Sequence, residues 1–129
     1  MAKNNLPPVH LESIVSKIHF IRGKRVILDS DLASLYGVLT KNLNKAVVRN
    51  LNRFPEDFMF QLTSEETESL RFQIGTSKKG RGGTRYLPHV FTQEGIAMLS
   101  GVLNSPRAIQ ANVQIMRTFI KMRELLATN

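Results

Sequence analysis

The chain has 129 residues, enough for one domain with a modest core, and sets 18 Lys and Arg against 10 Asp and Glu, a formal charge of +8. A surplus of that size suits polyanionic partners, meaning nucleic acid or an anionic membrane surface, although a basic protein can also be merely solvated. At 42% hydrophobic residues the composition is that of a folded chain, and the lack of cysteine excludes disulfides and thiolate zinc sites.

No run reaches the ~18 apolar residues of a spanning helix, so a membrane is not among the expected partners. The opening stretch Met1-Ala2-Lys3-Asn4-Asn5-Leu6 lacks the apolar centre of a signal peptide, which predicts a cytoplasmic location.

Residues 1–10 read as a polar arm containing Pro7-Pro8, and residues 11–129 as the folded domain. Ile14, Val15, Ile18 and Ile21 recur at helical spacing and predict a helix over 11–21. Arg22-Gly23-Lys24 is a turn and Arg25-Val26-Ile27-Leu28 a strand. Asp29 or Ser30 can then cap a short helix, Asp31 to Tyr36, with Gly37 suited to its left-handed end. Thr40 is a candidate N-cap for a helix running to Phe54, where Pro55 stops it, so that two helices joined across Gly37-Val38-Leu39 have the outline of a helix-turn-helix.

Residues 57–62 predict a strand, and Thr63-Ser64-Glu65-Glu66 a capping box opening a helix to about Phe72. Residues 75–85, with four glycines, four basic residues and no acid, form a flexible cationic loop. A strand at 86–91, a helix at 92–102 and a long helix from Ser105-Pro106 to the end complete an α+β domain with a small sheet. In the last helix Ile109, Val113, Met116, Ile120 and Leu125 or Leu126 form the expected apolar face. The helix has no C-cap, which predicts either a longer parent protein or a partner, such as a second copy, that covers it.

The helix at 40–54 carries the clearest functional pattern. With Lys41 at zero and about 100° per residue, Lys45, Arg49 and Arg53 fall at about 40°, 80° and 120°. Leu43, Val47, Leu51 and Phe54 fall at about 200° to 280°, on the opposite side. Asn42 and Asn52 lie among the cations, and no acid interrupts residues 40–54. Lys and Arg neutralise phosphates, Arg pairs with guanine and Asn with adenine, so the face suits duplex DNA. An ordinary amphipathic helix with a solvated basic side has the same pattern. Lys78, Lys79, Arg81 and Arg85 would add phosphate contacts, or belong to a solubilising connection.

Enzyme chemistry finds little support. His10, His19 and His89 are scattered without metal-ligand spacing, Asp29 and Asp31 sit where caps are needed, and Glu65, Glu66 and Glu68 open a helix. No nucleotide-binding loop is present, because no Gly-Lys-Ser/Thr follows the glycines, and no cofactor is expected. Tyr36 and Tyr86 are expected in the core rather than as stacking platforms.

The strings Ile21-Arg22-Gly23-Lys24-Arg25-Val26-Ile27-Leu28-Asp29, Leu35-Tyr36-Gly37-Val38, Arg53-Phe54-Pro55-Glu56-Asp57-Phe58 and Phe91-Thr92-Gln93-Glu94-Gly95 resemble the KilA-N superfamily of DNA-binding domains. The similarity is strongest to its open-reading-frame-six N-terminal branch and spans residues 14 to 124. The resemblance implies a small α+β DNA-binding domain of phage or bacterial regulators, acting in transcriptional regulation or antirepression. A protein-interaction module that binds a repressor or a second copy through the last helix is the rival of a different class, and RNA binding a third reading.

Overall fold

The structure is a computed structural model that describes residues 11–73 and 86–127, and in it the first apolar run breaks sooner than its spacing predicts. Helix α1 covers only Leu11–Val15, and Ile18–Ile21 forms strand β1. The β-branched Ile18 and Ile21 favour the pleated surface, and the turn behind them decides the matter. Arg22 and Gly23 both take positive φ, 54° and 75°, the backbone of a two-residue hairpin. Strand β2, Lys24–Leu28, therefore folds straight back on β1, with Ile21 opposite Lys24 and Ile18 opposite Ile27.

Helix α2, Asp29–Tyr36, follows without a break and ends where glycine is needed. Gly37 adopts φ 73°, its N–H donates to Ser34 O, and the Val38 N–H reaches Ala33 O, the two bonds of a Schellman close. Helix α3 is Thr40–Arg49; Thr40 is its first helical residue and not a side-chain cap, the N-cap position being Leu39. A 3-10 turn follows at Leu51–Arg53, then strand β3 at Met59–Gln61.

The capping box forms as its spacing predicts. The Glu66 N–H donates to Thr63 Oγ1 and the Thr63 N–H to Glu66 Oε1, opening helix α4, Ser64–Gln73. Strand β4 is His89–Thr92, and Thr92 caps helix α5, Gln93–Leu103. Helix α6 runs from Pro106 to Ala127.

The four strands make one antiparallel sheet in the order β1-β2-β4-β3, so the expected α+β class holds. Successive side chains point to opposite faces, and the core divides accordingly. Ile27, Phe91 and Met59 face the helical layer of α1, α2, α3, α5 and α6, whereas Val26, Val90 and Phe60 pack with Leu62, which follows β3, and with Leu70 of α4.

The last helix buries a face other than the expected apolar one. Its buried face is Ala108, Ala111, Asn112, Ile115, Thr118 and Phe119. Ile109, Val113 and Ile120, of the expected apolar face, remain 45%, 42% and 44% exposed, and Leu125 and Leu126 are exposed too. The inward face is set by fit rather than hydrophobicity: two alanines let α6 approach its neighbours, and Asn112 is fully engaged. Its amide donates to Ile96 O at 2.7 Å and its oxygen accepts from the buried Tyr36 hydroxyl. Both faces of α6 carry apolar residues at helical spacing, so periodicity alone does not separate them.

Candidate nucleic-acid interface

The exposed face of α3 follows the wheel over its own length. Leu43 and Val47 are buried, while Lys41, Asn42, Lys45, Val48 and Arg49 are exposed. The expected continuous helix to Phe54 is not formed. Asn50 leaves the helical region at φ −127°, ψ 37°, and its amide donates to Ala46 O at 2.8 Å, closing the helix C-terminus. Phe54 is then turned into the core, packing edge-on against Phe91 with ring centroids 6.0 Å apart, and Pro55 disfavours a helical backbone for it. Asn52 and Arg53 are exposed, but on the 3-10 turn rather than on the α3 stripe.

Among the described residues no acid lies within ion-pairing distance of Lys41, Lys45, Arg49 or Arg53, whereas Arg22 is paired with Glu66. Four cations are thus uncommitted to acidic partners there. Lys41, Asn44, Lys45, Val48 and Arg49 line a shallow groove of about 450 Å³.

Sequence reasoning misses what stands behind this groove. Asp29, expected only as a helix cap, is completely buried. One carboxylate oxygen accepts the Ser30 N–H at 2.7 Å. The other accepts from the Asn44 amide at 3.0 Å, from the His89 N–H at 3.2 Å and from the Tyr86 hydroxyl. The Asn44 amide also donates to the Tyr86 oxygen at 3.4 Å. Tyr86 is 45% exposed and so is not the core residue expected; burial of its hydroxyl and the neighbouring Asp29 push its pKa up, keeping it a donor. His89 Nδ1 lies 3.9 Å from the same carboxylate and has no hydrogen-bond partner among the described residues.

The cluster joins α2, α3 and the entry to β4 at one point. No local signal marks it, because the partners of Asp29 other than Ser30 lie 15, 57 and 60 residues away. Lys78, Lys79, Arg81 and Arg85 lie outside the described residues; Tyr86, the next residue in sequence, is held at α3. Among the described residues there is no group of three or more His, Asp or Glu placed to hold a metal, and no helix long and apolar enough to cross a membrane.

These features define a small α+β domain in which a sheet-backed helix pair presents an uncovered cationic helix. The model of the ORF6N domain matches residues 16–102, more than half of the chain, and the protein belongs to that phage-associated family. Neither the curated proteins nor the solved structures gave a match.

Proposed function

We propose that this is a non-catalytic DNA-binding domain of a phage-related regulator, serving transcriptional regulation or antirepression in the cytoplasm. Lys41, Asn42, Lys45 and Arg49 of α3, with Asn52 and Arg53 of the following turn, face the duplex. The observation that carries this reading is the uncovered α3 face, where exposed cations have no acidic partner among the described residues while Leu43 and Val47 anchor the helix below. Unpaired cations on a rigid element are what phosphate neutralisation requires, and the adjoining Asn side chains suit base edges. The KilA-N resemblance points the same way, and Lys78, Lys79, Arg81 and Arg85 would add phosphate contacts.

A titration of random-sequence duplex DNA between ~50 and ~200 mM salt tests this, because binding through several phosphates weakens by orders of magnitude over that range. An affinity that does not respond to salt contradicts it.

One observation favours a second reading. The outward stripe Ile109, Val113, Met116, Ile120 follows a 4-3-4 spacing and lines a groove of about 330 Å³ with Ala97 and Ser100 of α5. That spacing is the seam of a helix pair, so we propose that two copies associate through α6. A homodimer and a DNA-reading α3 are compatible, since the two surfaces share no residue.

A further inference from the structure

The reading face of α3 is not uniformly polar. Val48 is 68% exposed although its neighbours on the helix surface are Lys41, Asn44, Lys45 and Arg49. A β-branched aliphatic side chain in the middle of a cationic groove is poorly placed in water and, being stiff at χ1, presents its methyls in a fixed direction. Asn44 stands one turn before it, so the two side chains are surface neighbours with Cβ atoms about 5–6 Å apart.

The Asp29 cluster determines which end of the Asn44 amide faces outward. Both hydrogen bonds of the Asn44 side chain run from its nitrogen, to the Asp29 carboxylate at 3.0 Å and to the Tyr86 oxygen at 3.4 Å. The two acceptor oxygens are hydrogen-bonded to each other and lie side by side as seen from the nitrogen, so one N–H serves both, and because a carboxylate only accepts, the alternative flip is disfavoured. Asn44, which lines the groove, therefore keeps its Oδ1 acceptor, with the second N–H beside it, for a ligand there. On the major-groove edge of a base pair, an amine donor occurs on adenine and cytosine, and a methyl group occurs on thymine. An acceptor beside an apolar contact matches the pair that carries both, adenine with thymine.

We infer that α3 reads an A·T base pair in the major groove, Asn44 Oδ1 accepting from the adenine N6 amine and the Val48 methyls covering the thymine 5-methyl, with Asp29 and Tyr86 as positioning residues that hold the Asn44 amide in its acceptor orientation. This rests on the proposal that α3 faces duplex DNA and adds to it the identity of the base pair. Charge complementarity seats the duplex: the cations around Val48 bind the phosphates that flank the groove.

The test compares alternating poly(dA–dT), poly(dA–dU) and poly(dG–dC) duplexes at ~50 mM salt. Uracil lacks only the methyl, so the comparison needs no change in the protein. The wild type is expected to bind the thymine polymer about 4-fold tighter than the uracil polymer, the effect of one buried methyl. Val48→Ala abolishes that ratio while keeping the salt slope. Asn44→Ala lowers the preference for poly(dA–dT) over poly(dG–dC) by about 5-fold or more, and Asp29→Asn does so with the salt slope unchanged, which a merely destabilised protein would not do. Equal wild-type affinity for the thymine and uracil polymers overturns the inference and leaves DNA binding standing. Failure to bind any of the three polymers overturns both.

Discussion

The Tyr86 hydroxyl donates to the carboxylate of Asp29, 57 residues earlier in the chain, and the same carboxylate oxygen receives the Asn44 amide. Three elements, α2, α3 and the entry to β4, are thereby joined by one buried side chain. Removing the hydroxyl and removing the carboxylate should differ sharply. Tyr86→Phe leaves Asp29 with three other donors and costs about 1 kcal/mol. Asp29→Ala orphans the Ser30 and His89 N–H groups and the Asn44 amide together, and costs about 3 kcal/mol or more. Denaturant unfolding of both variants measures the difference; equal losses would show that the carboxylate is not the centre of the cluster.

Gly95 and Gly101 sit on one helix and make opposite predictions. A Cβ at Gly95 would overlap the Phe58 carbonyl oxygen, where the first turn of α5 crosses the chain before β3. The obstacle is backbone, so Gly95→Ala must displace α5 or the 58–59 segment and destabilises by about 3 kcal/mol or more. At Gly101 an added Cβ meets nothing within 4 Å, and the residue lies in the helix body, so Gly101→Ala stabilises by up to about 1 kcal/mol. Thermal melts of the two variants should move in opposite directions.

How much of this is legible in the sequence depends on how far apart the deciding residues are. Gly37 and the Thr63–Glu66 box are settled within a few residues, and the structure has them where their spacing predicts. The α3 stripe is legible for the same reason, up to Arg49. Its end is not, because Phe54 leaves the helix to meet Phe91, a contact across 37 positions. The expected helix over 11–21 gives way because Arg22-Gly23 can fold β1 onto β2 only if the residues before it are extended. Asp29 looks like a cap from its neighbours alone, and its other partners are remote in sequence.

Glu66 gives the domain a pH dependence with a defined sign. The Arg22 guanidinium, 2.7 Å away, together with the Thr63 N–H, holds its carboxyl down from the ordinary 4.5 to about 2. A depressed carboxyl contributes stability above its unfolded value and loses it as pH falls toward the folded one. Stability from this pair is therefore present above pH 4.5 and disappears between 4.5 and about 2. Glu66→Gln should flatten the stability profile across that window and leave the profile above it parallel to wild type. An unchanged slope below pH 4.5 would show that solvent screens the pair completely.

The two faces of α6 should respond differently to substitution. Ile115 is fully buried, and Ile115→Ala costs about 2–5 kcal/mol. Val113→Glu with Ile120→Glu changes half-exposed positions and should alter monomer stability by less than about 1 kcal/mol, while converting a dimer to a monomer in sedimentation. A wild type that sediments as a monomer at high concentration would contradict association through this stripe.

The most direct test of the DNA-binding proposal is the salt dependence of random-duplex binding by wild type and an Arg49→Ala/Arg53→Ala double variant. Each phosphate contact contributes about 0.9 to the slope of log affinity against log salt, so the double variant should bind more weakly and with a slope shallower by about 1.8. If the double variant keeps both the wild-type affinity and the wild-type slope, the cations of α3 and its following turn are only a solvated surface, and the duplex does not lie there.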